Sequence, residues 1–378
     1  MFIKRVLIYF PLVLIVFLAQ SFFWVPTYDK QAVGNPERLK KYIRGSSGDA
    51  EILNPVISAD TASSSINSLV FDGLIALDDK LEYRPRLATS WTQTEEAFLV
   101  VDPRYDLKKN ESSLPSAADW MDYIKTSLKK NQHWATNIKS VEVVLGKAIQ
   151  GSIQVPTLSN GGLPEISQER PRMEPAFYTL QYPDRIKFTL NRIDQDFFNP
   201  IKELIGEEYF KKFPYDDFVS AKKSSQYDRL KPYFSEILPL TEHNPILAFD
   251  LRRGVRFHDG HEFDSGDVLF TYQSIMDVKT ASPRRSDYEP VKLALAEGPY
   301  KMRITYKRLF SPAINSWSMG ILPEHLLNAE ALRKEAFINK ADPKEFTIRD
   351  SQFNRNPIGT GSFRFVEWKS DEIIRLKR

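Results

Sequence analysis

The sequence contains no cysteine. That absence removes disulfides, thiolate nucleophiles, cysteine metal sites and the lipid-modified cysteine that anchors many exported proteins. No charge of one sign dominates either: 52 Lys and Arg stand against 49 Asp and Glu, for a net charge of +3. A chain so balanced lacks the dominant basic patch on which nucleic-acid binding rests. There is no Gly-x-Ser-x-Gly elbow to present an activated serine, and without cysteine a Cys-His pair is excluded.

What is present is enough chain for a sizeable core: 378 residues, 42% hydrophobic and 12% aromatic, which predicts two or three domains rather than one. Lys4 and Arg5 precede an apolar run from Val6 to Val25, the order of the basic and hydrophobic regions of a signal peptide. The run is also long enough to span a bilayer as a helix, with Pro11 interrupting its first third. Ala19-Gln20-Ser21 offers a small-x-small cleavage site, while Phe22, Phe23 and Trp24 continue the apolar run. Residues 1–27 therefore read as a signal peptide or a membrane anchor, and either places the body of the protein outside the cytoplasm. Asp29 to Lys41, polar and bearing Gly34, Asn35 and Pro36, reads as a tether.

The best-ordered signals surround residues 251–275. Leu247, Phe249 and Leu251 alternate with Ala248, Asp250 and Arg252, the period of a half-buried strand. Gly254 ends it. Val255 and Phe257 lead into His258-Asp259-Gly260, where Asp-Gly predicts a turn. Asp264 stands three residues before Asp267, a relative of the capping box, and Val268, Tyr272, Ile275 and Met276 follow at the spacing of a core-facing helix. His258 and His261 would suit zinc only on a helix; the turn between them, with no third ligand suggested by spacing, points to no metal and no cofactor.

This order of signals resembles the signature region of extracellular solute-binding proteins of the oligopeptide, dipeptide and nickel class, bacterial solute-binding protein family 5, the ligand-capturing subunits of ABC transporters. Phe249 to Thr271 (FDLRRGVRFHDGHEFDSGDVLFT) carries the resemblance. Leu53-Asn54-Pro55, Phe71-Asp72-Gly73-Leu74, Tyr83 to Trp91 and Pro357 to Trp368 resemble further motifs of the family. Local physics agrees at these places. Hydroxyls at 61 and 63–65 can cap a helix with Ile66, Leu69 and Val70 on its apolar face, and Gly73 can end it. Gly359-Thr360-Gly361 lacks the later glycine and helix of a phosphate loop, so its glycines are expected to permit a sharp turn.

In the family, the strand after Trp91 passes almost directly into the Phe249 run. Here roughly residues 101–243 intervene, which reads as an insertion at a β connection. Ser116 should cap an amphipathic helix bearing Trp120, Ile124 and Leu128. Val141, Val143 and Leu145, then Ile186, Phe188 and Leu190, alternate as strands, with a long hairpin loop over 158–175. Asn199 to Phe213 is a further helix. The insertion is a solvated subdomain or a partner-docking module.

The resemblance implies an α/β fold, periplasmic-binding-protein-like (class II, type C): a mixed-sheet lobe I from 28–60 and 301–378, and an adjoining α+β subdomain II over 61–300 holding the insertion. The second lobe of a full member is missing, so the chain is expected to be a fragment, half of a split protein or a one-lobed derivative. The implied function is the substrate-binding component of an ABC-type importer, not an enzyme, located in the periplasm or on the outer face of the cytoplasmic membrane. Its implied partners are a peptide or related small solute, the permease subunits, and the membrane through the N-terminal segment if uncleaved, with no nucleic acid. Ala59, Asp60 and Thr61 fall where the first lobe's backbone meets the ligand, and Phe270 falls near a ligand-facing aromatic. An exported hydrolase, or a partner-docking or sensor protein derived from the scaffold, are the alternatives.

Overall fold

The computed structural model describes residues 2–24, 40–46, 48–102, 104–105, 116–157, 166–167, 170–221 and 224–378. The chain divides into two compact units, residues 1–49 and 50–378. In the first, helix α1 (Phe2–Trp24) runs through Pro11 without a break, and the side chains of residues 9–20 are exposed. Among the described residues no helix is long and apolar enough to cross a membrane. Residues 29–39 of the expected tether lie outside the described residues.

The second unit opens with α2 (Thr61–Val70), β1 (Ile75–Leu77), β2 (Tyr83–Pro85) and the long β3 (Ala88–Val100). Then come α3 (Ala117–Leu128), β4 (Ile138–Val144), β5 (Ala148–Pro156), β6 (Ile166–Ser167), β7 (Arg170–Pro171), β8 (Met173–Gln181) and β9 (Arg185–Leu190). Helices α4 (Asn199–Ile205) and α5 (Glu207–Lys211) and the short β10 (Val219–Ser220) lead to β11 (Thr241–Leu251). The remainder includes α6 (Ser265–Met276), β12 (Val291–Ala296), β13 (Lys301–Tyr306), α7 (Glu324–Leu327), α8 (Ala329–Ile338), β14 (Arg364–Lys369) and β15 (Ile373–Lys377). The fold is α/β in content, with a six-stranded sheet in the order β12-β13-β11-β3-β9-β4. All its neighbours pair antiparallel.

β3 and β11 form the spine. They pair from Thr241 opposite Leu99 to Asp250 opposite Ser90, and a different core lies against each end. One core gathers Val56, Leu74, Phe249, Val268, Ile304 and Trp317. The other gathers Leu99, Trp120, Phe188, Phe197 and Tyr209. Every buried member of the second lies between Ala97 and Leu240, and no buried member of the first does. The long intervening segment thus supplies its own apolar interior while adding β9 and β4 to the common sheet.

Local signals explain most of these elements. Asp264 and Asp267 form a reciprocal capping box at the start of α6, which satisfies two otherwise free N–H groups. Val268, Thr271 and Ile275 are buried along that helix, with Tyr272 and Met276 half-buried beside them. Ser116 caps α3 by accepting from Asp119 N, and Trp120 and Ile124 are buried. Ile186, Phe188 and Leu190 of β9 are all buried.

Other expectations need correction. The helix expected over 199–213 is two helices, because Gly206 at φ 92° interrupts the ladder. Leu145 is exposed beyond the end of β4. The hairpin around 158–175 is flanked by β5 and β8, which pair from Ala148 opposite Gln181 to Pro156 opposite Met173. Most of its tip, residues 158–165 and 168–169, lies outside the described residues. Residues 48–60 carry no strand. Leu53 is tied there by one backbone bond, its N–H donating to Asn354 O at 2.8 Å. Fully buried Asn54 donates to Asn354 Oδ1 at 3.0 Å. Gly359-Thr360-Gly361 makes no positive-φ turn; a Cβ on Gly359 would stand 2.0 Å from Val70 O, so the glycine permits close approach of two backbones.

Candidate functional site

The second unit has a solvent-open cleft of about 280 Å³ beside α2. Asp60 starts that helix as its N-cap, accepting from Ser63 N at 2.7 Å. The cap is therefore the acid rather than the hydroxyl of Thr61. The buried face of α2 is Ser63, Asn67 and Val70, with Ile66 half-buried against the first core and Leu69 exposed, so two polar groups turn inward where Leu69 was expected. Ser63 Oγ accepts from Glu51 N and Ile52 N, which fastens the preceding segment. Asn67 Nδ2 donates to Ser58 Oγ at 3.0 Å.

The opposite wall is Ser318-Met319-Gly320. Leu74 N donates to Trp317 O at 2.9 Å and Ile321 N to Asp72 O at 3.0 Å, so the Phe-Asp-Gly-Leu motif is joined to this wall by two backbone bonds. Gly73 does not end α2, which stops at Val70 with Phe71 as its cap. A Cβ at Gly73 would lie 2.3 Å from Ser318 O, and the glycine is what lets the walls meet. Arg86 and Arg284 are exposed side chains that also line the cleft. Burial pushes the Asp72 carboxyl above the usual carboxylate range, with Arg86 pulling the other way. Asn67 is 4% exposed, and its Oδ1 has no hydrogen-bond partner.

Of the four residues singled out from the sequence, Ala59, Asp60 and Thr61 lie in chain between Ser58 and Ser64, both of which line the cleft. Ala59 and Thr61 are exposed. Phe270 is elsewhere, half-buried on α6 against the first core. Sequence reasoning missed Arg86, Arg284, Asp72 and Asn67 as a group, because they meet only through tertiary packing. A usable signal was Asn67, a polar side chain within the apolar stripe of a helix.

The histidine-rich turn is arranged for structure. His258 bonds to Gly359 and Gly361, while the ring of His261 stacks on His325 with centroids 3.8 Å apart. His325 Nε2 lies 2.7 Å from Asp259 Oδ2. Among the described residues no group of three or more His, Asp and Glu is placed to hold a metal ion.

Comparison with known proteins adds a likeness over the C-terminal part of the chain. Residues 242–378 match the model for bacterial extracellular solute-binding proteins, family 5 Middle. The oligopeptide-binding protein AppA of Bacillus subtilis is 34% identical over 138 residues, 35% of this chain and 23% of that protein. Protein XP55 of Streptomyces lividans is 31% identical over 149 residues, 39% of this chain and 24% of that protein. The aligned stretch thus spans about a quarter of either relative's length. The crystal structure of Bacillus subtilis AppA with a nonapeptide aligns at TM-score 0.41 and 17% identity, over 88% of this chain and 35% of that one. The stretch that begins in β11 and contains the capped helix α6 is thus similar to the family 5 bacterial extracellular solute-binding proteins.

Proposed function

We propose that this chain is the ligand-capturing part of an ABC-type importer, taking peptides or a related small solute outside the cytoplasmic membrane for delivery to the permease. The observation that carries this reading is the family match over 242–378, with 34% identity to an oligopeptide-binding protein. The polar cleft beside α2 supports it, and Ala59, Asp60 and Thr61 next to that cleft are our choice for contact with the ligand main chain. Phe270, packed on the core, is a weaker choice. Residues 101–243 are read as an insertion into the family scaffold.

Affinity in an open cleft is modest. Water competes for each hydrogen bond, leaving about 0.5–1.5 kcal/mol net against roughly 4 kcal/mol or more of lost freedom on association. Titration of a mixed tri- to pentapeptide pool into the full chain, followed by NMR, should shift the amides of Asn67, Ser68 and Gly73 saturably. Peptide-independent spectra would refute the reading. Export is read from Lys4, Arg5 and the apolar run that follows, as a signal peptide or an anchor. Residues 1–30 fused to a reporter active only outside the cytoplasm should give signal, and a reporter silent there would remove the export reading.

A further inference from the structure

Resting on that reading, we propose that the cleft beside α2 takes the C-terminal residue of a peptide, with Arg86 and Arg284 holding its carboxylate and Asn67 Oδ1 accepting the N–H beside it. Three observations lead there. Asn67 is buried, yet its Oδ1 is without a partner while its Nδ2 is committed to Ser58 Oγ. A buried acceptor left open is unfavourable, and Asn67 is one of the residues that line the cleft. Second, Arg86 and Arg284 line the same cleft, and among the described residues neither guanidinium makes an ion pair or a hydrogen bond. Third, one carboxyl, Asp72, lines the cleft and partly offsets Arg86, which leaves Arg284, among the described residues, without a carboxylate close to it.

A ligand must therefore bring negative charge to the guanidinium side and a donor to the Asn67 side. A bare inorganic anion meets the first demand and presents its charge to the open amide oxygen. A peptide terminus meets both, because its last N–H and its carboxylate are separated by a single Cα. Guanidinium and carboxylate also match as paired forks, which favours a carboxylate over a neutral amide end.

The test uses the full chain and three probes: tri-alanine, tri-alanine amide, and alanyl-alanyl-lactic acid, whose ester oxygen replaces the last N–H. Binding is followed by NMR at the Asn67 side-chain amide and the arginine Nε–H signals. The amide should bind about tenfold or more weakly than the acid, as expected for charge-assisted bonds, and the ester several-fold more weakly. Arg86→Gln and Arg284→Gln, both at exposed side chains, should each weaken the acid without affecting the amide, with unfolding curves unchanged. Acid and amide of equal affinity would overturn this assignment and leave peptide capture standing. So would acetate or phosphate competing as well as tri-alanine, since the cleft would then be a simple anion site. Failure of all three probes to bind would overturn both the assignment and the peptide-capture reading beneath it.

Discussion

His258 accepts the amide N–H of Gly359 at its Nδ1, 3.3 Å away, while its Nε2 lies 2.9 Å from Gly361 O. A ring accepting at Nδ1 and facing a carbonyl at Nε2 carries its proton on Nε2, so one neutral imidazole holds two peptide groups. Gly361 N in turn donates to Val70 O at 2.8 Å. The His-Asp-Gly turn, the Gly-Thr-Gly segment and the end of α2 are thereby one connected unit behind the cleft. His258→Ala leaves both peptide groups without this partner and should lower stability by about 1–3 kcal/mol. Urea unfolding of the full chain measures it. An unchanged midpoint, with amide exchange at Gly359 and Gly361 also unchanged, would remove the bridge as a stabilising element.

Asp267 gives a pH dependence whose sign follows from burial. Desolvation pushes its carboxyl from 3.8 up to about 6, against the backbone N–H groups of Asp264 and Glu324 that it accepts. The folded state therefore binds this proton more tightly than the unfolded one, and stability from this group falls as pH rises between those two values. The full effect is about 3 kcal/mol at most. Asp267→Asn does not titrate, so the stability of the native protein relative to this variant should shrink from about pH 3.5 to about pH 7. A relative stability that is flat or rises over that range contradicts the burial account.

Glu95 is fully buried on β3, where one carboxylate oxygen meets His243 Nδ1 on β11 and the other accepts from Asp194 N at 2.9 Å. Removing one partner of a buried pair strands the other, so Glu95→Ala should cost about 3–5 kcal/mol. The double change Glu95→Leu with His243→Leu should recover part of that loss, since an apolar pair leaves no charge unpaired. A double variant less stable than the sum of its single changes would argue against stranding as the cause.

Elements whose information is local were legible in the sequence. α6, β9 and β11 each announce themselves through a short apolar period, and the box at Asp264 and Asp267 marks a helix start within four residues. β5 and β8 did not. The core face of β5 includes Gly151, over which the Tyr178 ring lies so closely that a Cβ would stand 2.5 Å from its hydroxyl; an aromatic from the partner strand does the covering that the strand's own side chain would signal. The cleft was half legible. Its motif segments were visible, but Asn67, Arg86, Arg284 and Ser318 come from four separate places in the chain, and only packing unites them.

The partition of the two cores predicts what a deletion will do. β9 pairs with Glu95 to Val100 of β3, so cutting only the segment after Val100 would bare that end of the strand. Removing residues 95–245 instead, and joining Thr94 to Ile246, which face each other across β3 and β11, by an Asn-Gly turn suits a two-residue hairpin. No buried residue of the first core is lost. The shortened chain should unfold cooperatively, as judged by denaturant curves from two probes. Non-coincident curves, or none, would show that the first core depends on the inserted segment.

The β3–β11 pairing also imposes an order of events. Leu99 and Thr241 are partners roughly 140 residues apart, and closing so long a loop is slow even where its equilibrium penalty grows only with the logarithm of its length. The second core shortens the search, because it lies wholly between Ala97 and Leu240 and, once formed, holds its two ends side by side. On a ribosome that segment emerges before the strand that follows it. Its collapse would deliver Thr241 onto Leu99, and the ladder would then zip from that closed end toward Ser90 and Asp250, so that the pairs of this ladder farthest apart in sequence are its last to be tied.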